Sequence, residues 1–135
     1  MYDLKKFTAT NQRNENRITV TASSSFGFPL KFVKDNNVGN YKYVVIYYDE
    51  QEKVVGFLFT SNEEEQHKFT VIRSKRGYGG AIVATSFFKT NNIESKEYKG
   101  RYKWETQEME GTGKIFVIKL TKRQQSPASE NVNPQ

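Results

Sequence analysis

Apolar and polar positions along this chain come in short runs, and the runs form two similar sets. Arg17 to Ala22 reads RITVTA, with every second side chain apolar, which is the period of a half-buried strand. Ser23 to Ser25 reads as a loop and Phe26-Gly27-Phe28 as a short extended piece. Pro29 suits the first turn of a helix, where its missing N–H costs nothing, and Leu30 and Val33 then share one face. Asn36-Asn37 ends that helix, because Asn tolerates the left-handed backbone of a helix stop. Tyr41 to Tyr48 (YKYVVIYY) and Lys53 to Thr60 (KVVGFLFT) are β-branched and aromatic on either side of the polar Asp49 to Glu52, which predicts a β-hairpin. Ser61 to His67 (SNEEEQH) is an acidic linker.

The order then repeats. Lys68 to Arg73 predicts a strand, Ser74 to Gly80 a basic Gly-rich turn, and Ala81 to Ala84 a second strand. Thr85 or Ser86 is expected to cap a short helix running to Thr90, its oxygen accepting a free N–H. Lys99 to Glu105 and Lys114 to Leu120 flank the polar Thr106 to Gly113 as a second hairpin. Residues 1–16 read as a polar arm, with Leu4 to Thr10 as a candidate edge strand. Residues 122–135 lack apolar periodicity and are expected to be disordered. Between them lies one domain, residues 17–121: unit one at 17–60, the linker at 61–67 and unit two at 68–121.

The two sets align. Phe32-Val33-Lys34-Asp35-Asn36-Asn37-Val38 matches Phe87-Phe88-Lys89-Thr90-Asn91-Asn92-Ile93, and Ile18-Thr19-Val20 matches Phe69-Thr70-Val71. In this alignment the first copy lacks the basic turn. A duplicated unit that cannot bury its own apolar face packs on its copy, as a symmetric dimer does. The expected fold is therefore mainly β with short helices, a pseudo-two-fold β-barrel of two β-β-α-β-β units.

The run from Gly80 to Ile93 (GAIVATSFFKTNNI) resembles the signature of AbrB-like and MraZ-like swapped-hairpin domains. In that family a Gly opens a short apolar strand, a Pro-led helix carries basic residues, and a helix stop leads into a hairpin. The resemblance covers roughly residues 17–121 and implies a tandem, intramolecular pseudo-dimer, capable of further self-association, that binds duplex DNA as a cytoplasmic transcriptional regulator. It implies DNA contacts at Arg73, Lys89 and Lys34, the positions that match the family's basic residues. The chain departs from the pattern at Ala81, where the family usually has Arg, and at Thr85, where it usually has Pro; only Pro29 keeps the latter. Double-psi barrels and the B3 type share related element orders.

Composition narrows the chemistry. The 135 residues hold ten Phe and eight Tyr, suited to a β protein, and no Cys, which excludes disulfides, thiolate metal sites and a Cys nucleophile. No apolar run approaches the roughly 20 residues that span a bilayer, and no membrane partner is expected. The charge of +6 is uneven: residues 1–68 hold nine Lys and Arg against nine Asp and Glu, whereas residues 69–123 hold twelve against five. A basic half points to a polyanion.

His67, the one histidine, sits in the acidic linker, and the serines lack a nucleophile's context, so no catalytic residue and no cofactor is expected. Three adjacent carboxylates, Glu63 to Glu65, point different ways along an extended loop and make a poor cation site. The turn RSKRGYGG, Arg73 to Gly80, is the richest stretch. Its glycines let a ligand approach, Arg73, Lys75 and Arg76 can neutralise phosphates, and Tyr78 can stack on a base. Arg101 and Lys103 alternate with Tyr102 and Trp104, which gives one strand face a cationic character. Two other readings share these features: an antitoxin-like protein-interaction module gripping through its arms, and a single-stranded DNA or RNA binder.

Overall fold

The computed structural model describes residues 1–6, 16–73 and 79–122. In chain order the elements are β1 (Ile18–Val20), β2 (Ser25–Pro29), α1 (Leu30–Asp35), β3 (Tyr43–Asp49), β4 (Val54–Thr60), β5 (Lys68–Thr70), β6 (Ile72–Arg73), β7 (Gly79–Val83), α2 (Thr85–Thr90), α3 (Ser95–Tyr98), β8 (Gly100–Tyr102), β9 (Glu105–Met109) and β10 (Gly113–Lys119). They form two antiparallel five-stranded sheets, ordered β6-β7-β2-β1-β8 and β5-β3-β4-β10-β9. An inner pair in each sheet joins the two halves of the chain: β2 pairs with β7, and β4 with β10, where Phe57 lies opposite Phe116.

The expected barrel is corrected to these two sheets. Among the described residues no strand pairing joins them, so each sheet keeps two edges. The chain instead steps from one sheet to the other at a bend. The expected strand Lys68 to Arg73 breaks at Val71, whose N–H donates to the Lys42 carbonyl at 2.8 Å, leaving β5 in the second sheet and β6 in the first. The expected strand Lys99 to Glu105 breaks likewise between β8 and β9. Such crossing strands hold packed sheets together at their corners. The stretch read as a polar turn, Thr106 to Gly113, is mostly β9, an edge strand with a nearly all-exposed burial pattern and no apolar signal to reveal it.

Aromatic rings fill the space between the sheets. Phe26, Phe28, Phe32 and Phe57 are at most 2% exposed. Phe57 takes Phe26 edge-on at 4.9 Å and Phe28 at 5.4 Å, while Phe32 takes Phe116 at 5.1 Å. Edge-to-face pairs add about 0.5–1.5 kcal/mol each beyond their buried area. The apolar character of β3 and β4 on both faces has a separate cause. Val45 and Ile115 are buried but lie outside this core, on the outer face of the second sheet. There Ile115 lies over Gly56: a Cβ at that glycine would sit 2.8 Å from Ile115 Cδ1.

The duplication is clearest at the helices. Both are six residues long, and both bury two apolar side chains, Phe32 with Val33 and Phe87 with Phe88. Both end the same way. The side-chain amides of Asn36 and Asn91 donate to the carbonyls of Phe32 and Phe87, each at 2.9 Å. Asn37 and Asn92 both stand at φ 55°, and Val38 and Ile93 return N–H bonds to Val33 and Phe88. These bonds satisfy carbonyls that a helix end leaves open. The expected capping by Thr85 or Ser86 is corrected: the N-cap is Ala84, with no side-chain bond, and its own N–H donates to Ser24 O at 2.9 Å.

The repeat register also changes. β6 holds the same place beside β7 as β1 holds beside β2, so Ile72–Arg73, and not Phe69 to Val71, is the counterpart of β1. In the first unit residues 21–24 separate these strands; the basic stretch expected to be peculiar to the second unit, residues 74–78, lies outside the described residues. What the second unit adds is α3. The expected edge strand at Leu4 to Thr10 lies partly outside the described residues; Met1 to Lys6 form no strand, and Leu4 is exposed. The expected disordered tail lies outside them apart from Lys122.

Candidate nucleic-acid interface

The predicted site residues do not converge. Arg73 lies on the β6 edge of the first sheet, opposite Gly80, and its guanidinium donates to the Tyr41 carbonyl ahead of β3. That contact ties the sheet edge to the neighbouring loop. Lys34 and Lys89 are exposed in the last turns of α1 and α2, where a cation complements the helix dipole. Those helices follow directly from β2 and β7, which run antiparallel, so the two lysines leave from opposite ends of the sheet. Lys75, Arg76 and Tyr78 lie outside the described residues.

Arg101 and Lys103 do share a surface. Tyr102 is buried, its hydroxyl donating to the Tyr98 carbonyl, and Trp104 packs edge-on against Phe32 at 5.2 Å. Alternation therefore turns Arg101, the middle residue of β8, to the outer face, and Lys99 and Lys103, which flank the strand, are exposed. On β1, Ile18 and Val20 point into the core, which turns Arg17 and Thr19 outward beside them. Arg17, Lys99 and Arg101 each make a further contact of their own, so a ligand here exchanges contacts instead of meeting bare charges.

The strand register draws one row straight across this face: Arg101, Thr19, Gly27, Ala81, Ile72. It spans four strand spacings, about 19 Å. The middle of the row is low, because Gly27 and Ala81 carry little or no side chain. Ser25 and Val83 pair in the adjacent row. At the far side Ile72 and Val83 are 55% and 53% exposed, unusual for aliphatic strand residues. The outer face thus has a cationic side, a shallow floor and an apolar side.

Pairing, not composition, built this surface, so sequence reasoning found only part of it. Arg17 and Lys99 were not singled out, because their neighbours across β1 and β8 are set by tertiary contacts. Ile72 read as an ordinary strand residue.

The acidic linker makes a self-contained cluster elsewhere. Glu63 accepts from the Tyr43 hydroxyl at 2.7 Å and pairs with Lys42 at 3.5 Å. The hydrogen bond from Tyr43 holds the Glu63 carboxyl below its usual range, and the same bond raises the Tyr43 phenol. His67 is exposed at φ 61°. Among the described residues no helix is long and apolar enough to cross a membrane.

No protein-family model, curated protein or solved structure matches this chain.

Proposed function

We propose that this chain is a non-enzymatic DNA-binding protein whose contact surface is the outer face of the first sheet along β1 and β8. The observation that carries the reading is the gathering of four exposed cations, Arg17, Lys99, Arg101 and Lys103, in and beside the β1–β8 pair, where burial of Ile18, Val20 and Tyr102 turns Arg17 and Arg101 outward. Cations gathered along one strand pair suit a polymer of phosphates. The surface draws on both units, since β1 comes from the first and β8 from the second. The pairing of β2 with β7 and of β4 with β10 supports a tandem swapped-hairpin arrangement behind it.

Four phosphate contacts give a log–log slope of affinity against salt of about −2.8 for a single strand or about −3.6 for a duplex. Changing Lys99, Arg101 and Lys103 together to Gln leaves one contact and a slope of about −0.7 to −0.9. Fluorescence anisotropy of labelled DNA across a salt series measures this. A slope untouched by the triple substitution removes the site assignment, and absence of binding to folded protein at low salt removes the function.

A further inference from the structure

We infer that the outer face of the second sheet is the interface of a symmetric homodimer, in which a second copy of this chain lies face to face across a two-fold axis running along β4. The inference concerns the other sheet from the DNA-binding reading and does not depend on it. An antiparallel sheet with one wet face alternates apolar and polar residues. β3 and β4 do not. The outward positions between their core residues include Val45, Tyr47, Val54 and Leu58, and β10 adds Ile115 and Val117. Val45 and Ile115 are buried by their neighbours and the other four are half-buried. Met1, Tyr2 and Leu4 are at least 87% exposed, so the described start of the chain does not cover this face.

The face matches itself. β4 is the middle strand of its sheet, so an axis along it sets β3 of one copy over β10 of the other and β5 over β9. The register across β4 gives the rows Asp49, Val54, Lys119 and Tyr47, Gly56, Val117. Two residues further along, Val45 lies beside Leu58, and Leu58 beside Ile115. Turned about the axis, each row meets its own reverse. Val45 faces the partner's Ile115, Tyr47 faces the partner's Val117, and Leu58 and Val54 each face their own counterparts. The same rotation sets Asp49 opposite the partner's Lys119. Both charges have local contacts: Asp49 Oδ1 accepts from the Glu52 N–H at 3.1 Å, and Lys119 pairs with Glu52 at 3.4 Å. A carboxylate has two oxygens and an ammonium three donors, so the cross-pair adds to these contacts without replacing them. Any apolar partner could cover the six side chains. The match of apolar to apolar and of anion to cation under one rotation selects a second copy. Packed sheets lie about 10 Å apart and cross at about 30°, a tilt that the long Lys119 side chain absorbs. β3, β4 and β10 are each seven residues long, so the face measures about 20 Å each way. Two such faces bury on the order of 1,000 Å², the lower bound for a specific interface.

The test uses the full chain at about 0.15 M salt, which screens the repulsion between two copies of charge +6. Sedimentation velocity over a concentration series reaching about 200 μM is expected to show a wild-type dimer. Leu58→Glu sets two carboxylates against each other on the axis and should weaken the dimer at least about tenfold. Folding is checked by Trp104 fluorescence; if that variant unfolds, Val54→Lys is read instead, at the first residue of β4. The chain has no cysteine, so single-cysteine variants report position directly. A short bismaleimide should link Val54→Cys chains across the axis and leave Thr19→Cys chains, on the outer face of the first sheet, as monomers. A wild type that stays monomeric throughout the series overturns the inference, and cover by another part of the same chain gives that result. A dimer untouched by the glutamate or lysine variant, or Thr19→Cys linking as readily as Val54→Cys, overturns it too. None of these outcomes touches the DNA-binding reading, and loss of DNA binding with the dimer intact removes that reading alone.

Discussion

Asn37 and Asn92 hold the same backbone conformation, φ 55°, at the ends of two helices that the chain places far apart in sequence. A left-handed residue with a Cβ costs about 1–2 kcal/mol, and Asn offsets part of that through local polar contacts. Replacing either Asn by Ala is therefore expected to cost about 1 kcal/mol. Replacing it by Gly removes the steric term but loosens the unfolded chain by about 0.4–1 kcal/mol, so Gly should stay close to wild type. The two stops lie beyond opposite ends of the β2–β7 pair, far enough apart for their effects to add, and the double Ala variant should lose about 2 kcal/mol. Urea unfolding followed by Trp104 is a direct assay. This single tryptophan packs against Phe32 and Phe116 and so reports on the α1 end of the core. With a denaturant slope of about 1–3 kcal/mol/M, each Ala variant should move the midpoint by roughly 0.3–1 M with an unchanged slope. Ala variants as stable as wild type, or Gly variants less stable than Ala, would refute the helix-stop argument. A large loss at one Asn and none at the other would refute the equivalence of the two units.

Two further expectations concern the core. Phe32, 0% exposed and ringed by Phe28, Trp104 and Phe116, should cost about 3–5 kcal/mol as Phe32→Ala, measured by the same urea titration; a loss under about 2 kcal/mol would mean the site collapses around the change. The buried Tyr48 hydroxyl has no hydrogen-bond partner among the described residues, so Tyr48→Phe should leave thermal stability unchanged or raised, and a drop of more than about 1 kcal/mol would contradict that. Burial first, then the charges of Tyr98, Glu50 and Asp49, raises this phenol above its usual 10.0. Its contribution is therefore present below that pH and is lost as pH rises through the folded-state value, so Tyr48→Phe should flatten the alkaline fall in melting temperature.

Local chemistry was legible in the sequence where a residue's own neighbours decide its state. Asn36-Asn37 and Asn91-Asn92 after a helix and the hairpin of β3 with β4 follow from backbone preference and apolar period, whereas Pro29, expected in the first turn of the helix, ends β2 as the extended N-cap. The duplicated helix and its stop were legible in the same way. Register was not legible. The match of Ile18-Thr19-Val20 to Phe69-Thr70-Val71 keeps the in–out alternation, since a shift of two residues preserves which face each side chain occupies. Only the pairing of β6 with β7 shows which shift is real. The same limit hid β9, whose polar residues carry no periodic signal, and the bends that carry β5 into β6 and β8 into β9.

By itself, then, the sequence determined a duplicated β protein with two equivalent helix stops, because those features rest on local conformational preference. Tertiary structure decided which residues share a surface. The basic residues of the second half are spread over β6, α2 and β8, and charge count alone cannot tell which face each occupies. Sheet order parts Arg73 from Arg101 by the full width of the first sheet and brings Arg17, from the neutral half, beside Arg101 and Lys103. The reason is geometric: strand neighbours are set by non-local hydrogen bonds, and side-chain direction by which face the core buries.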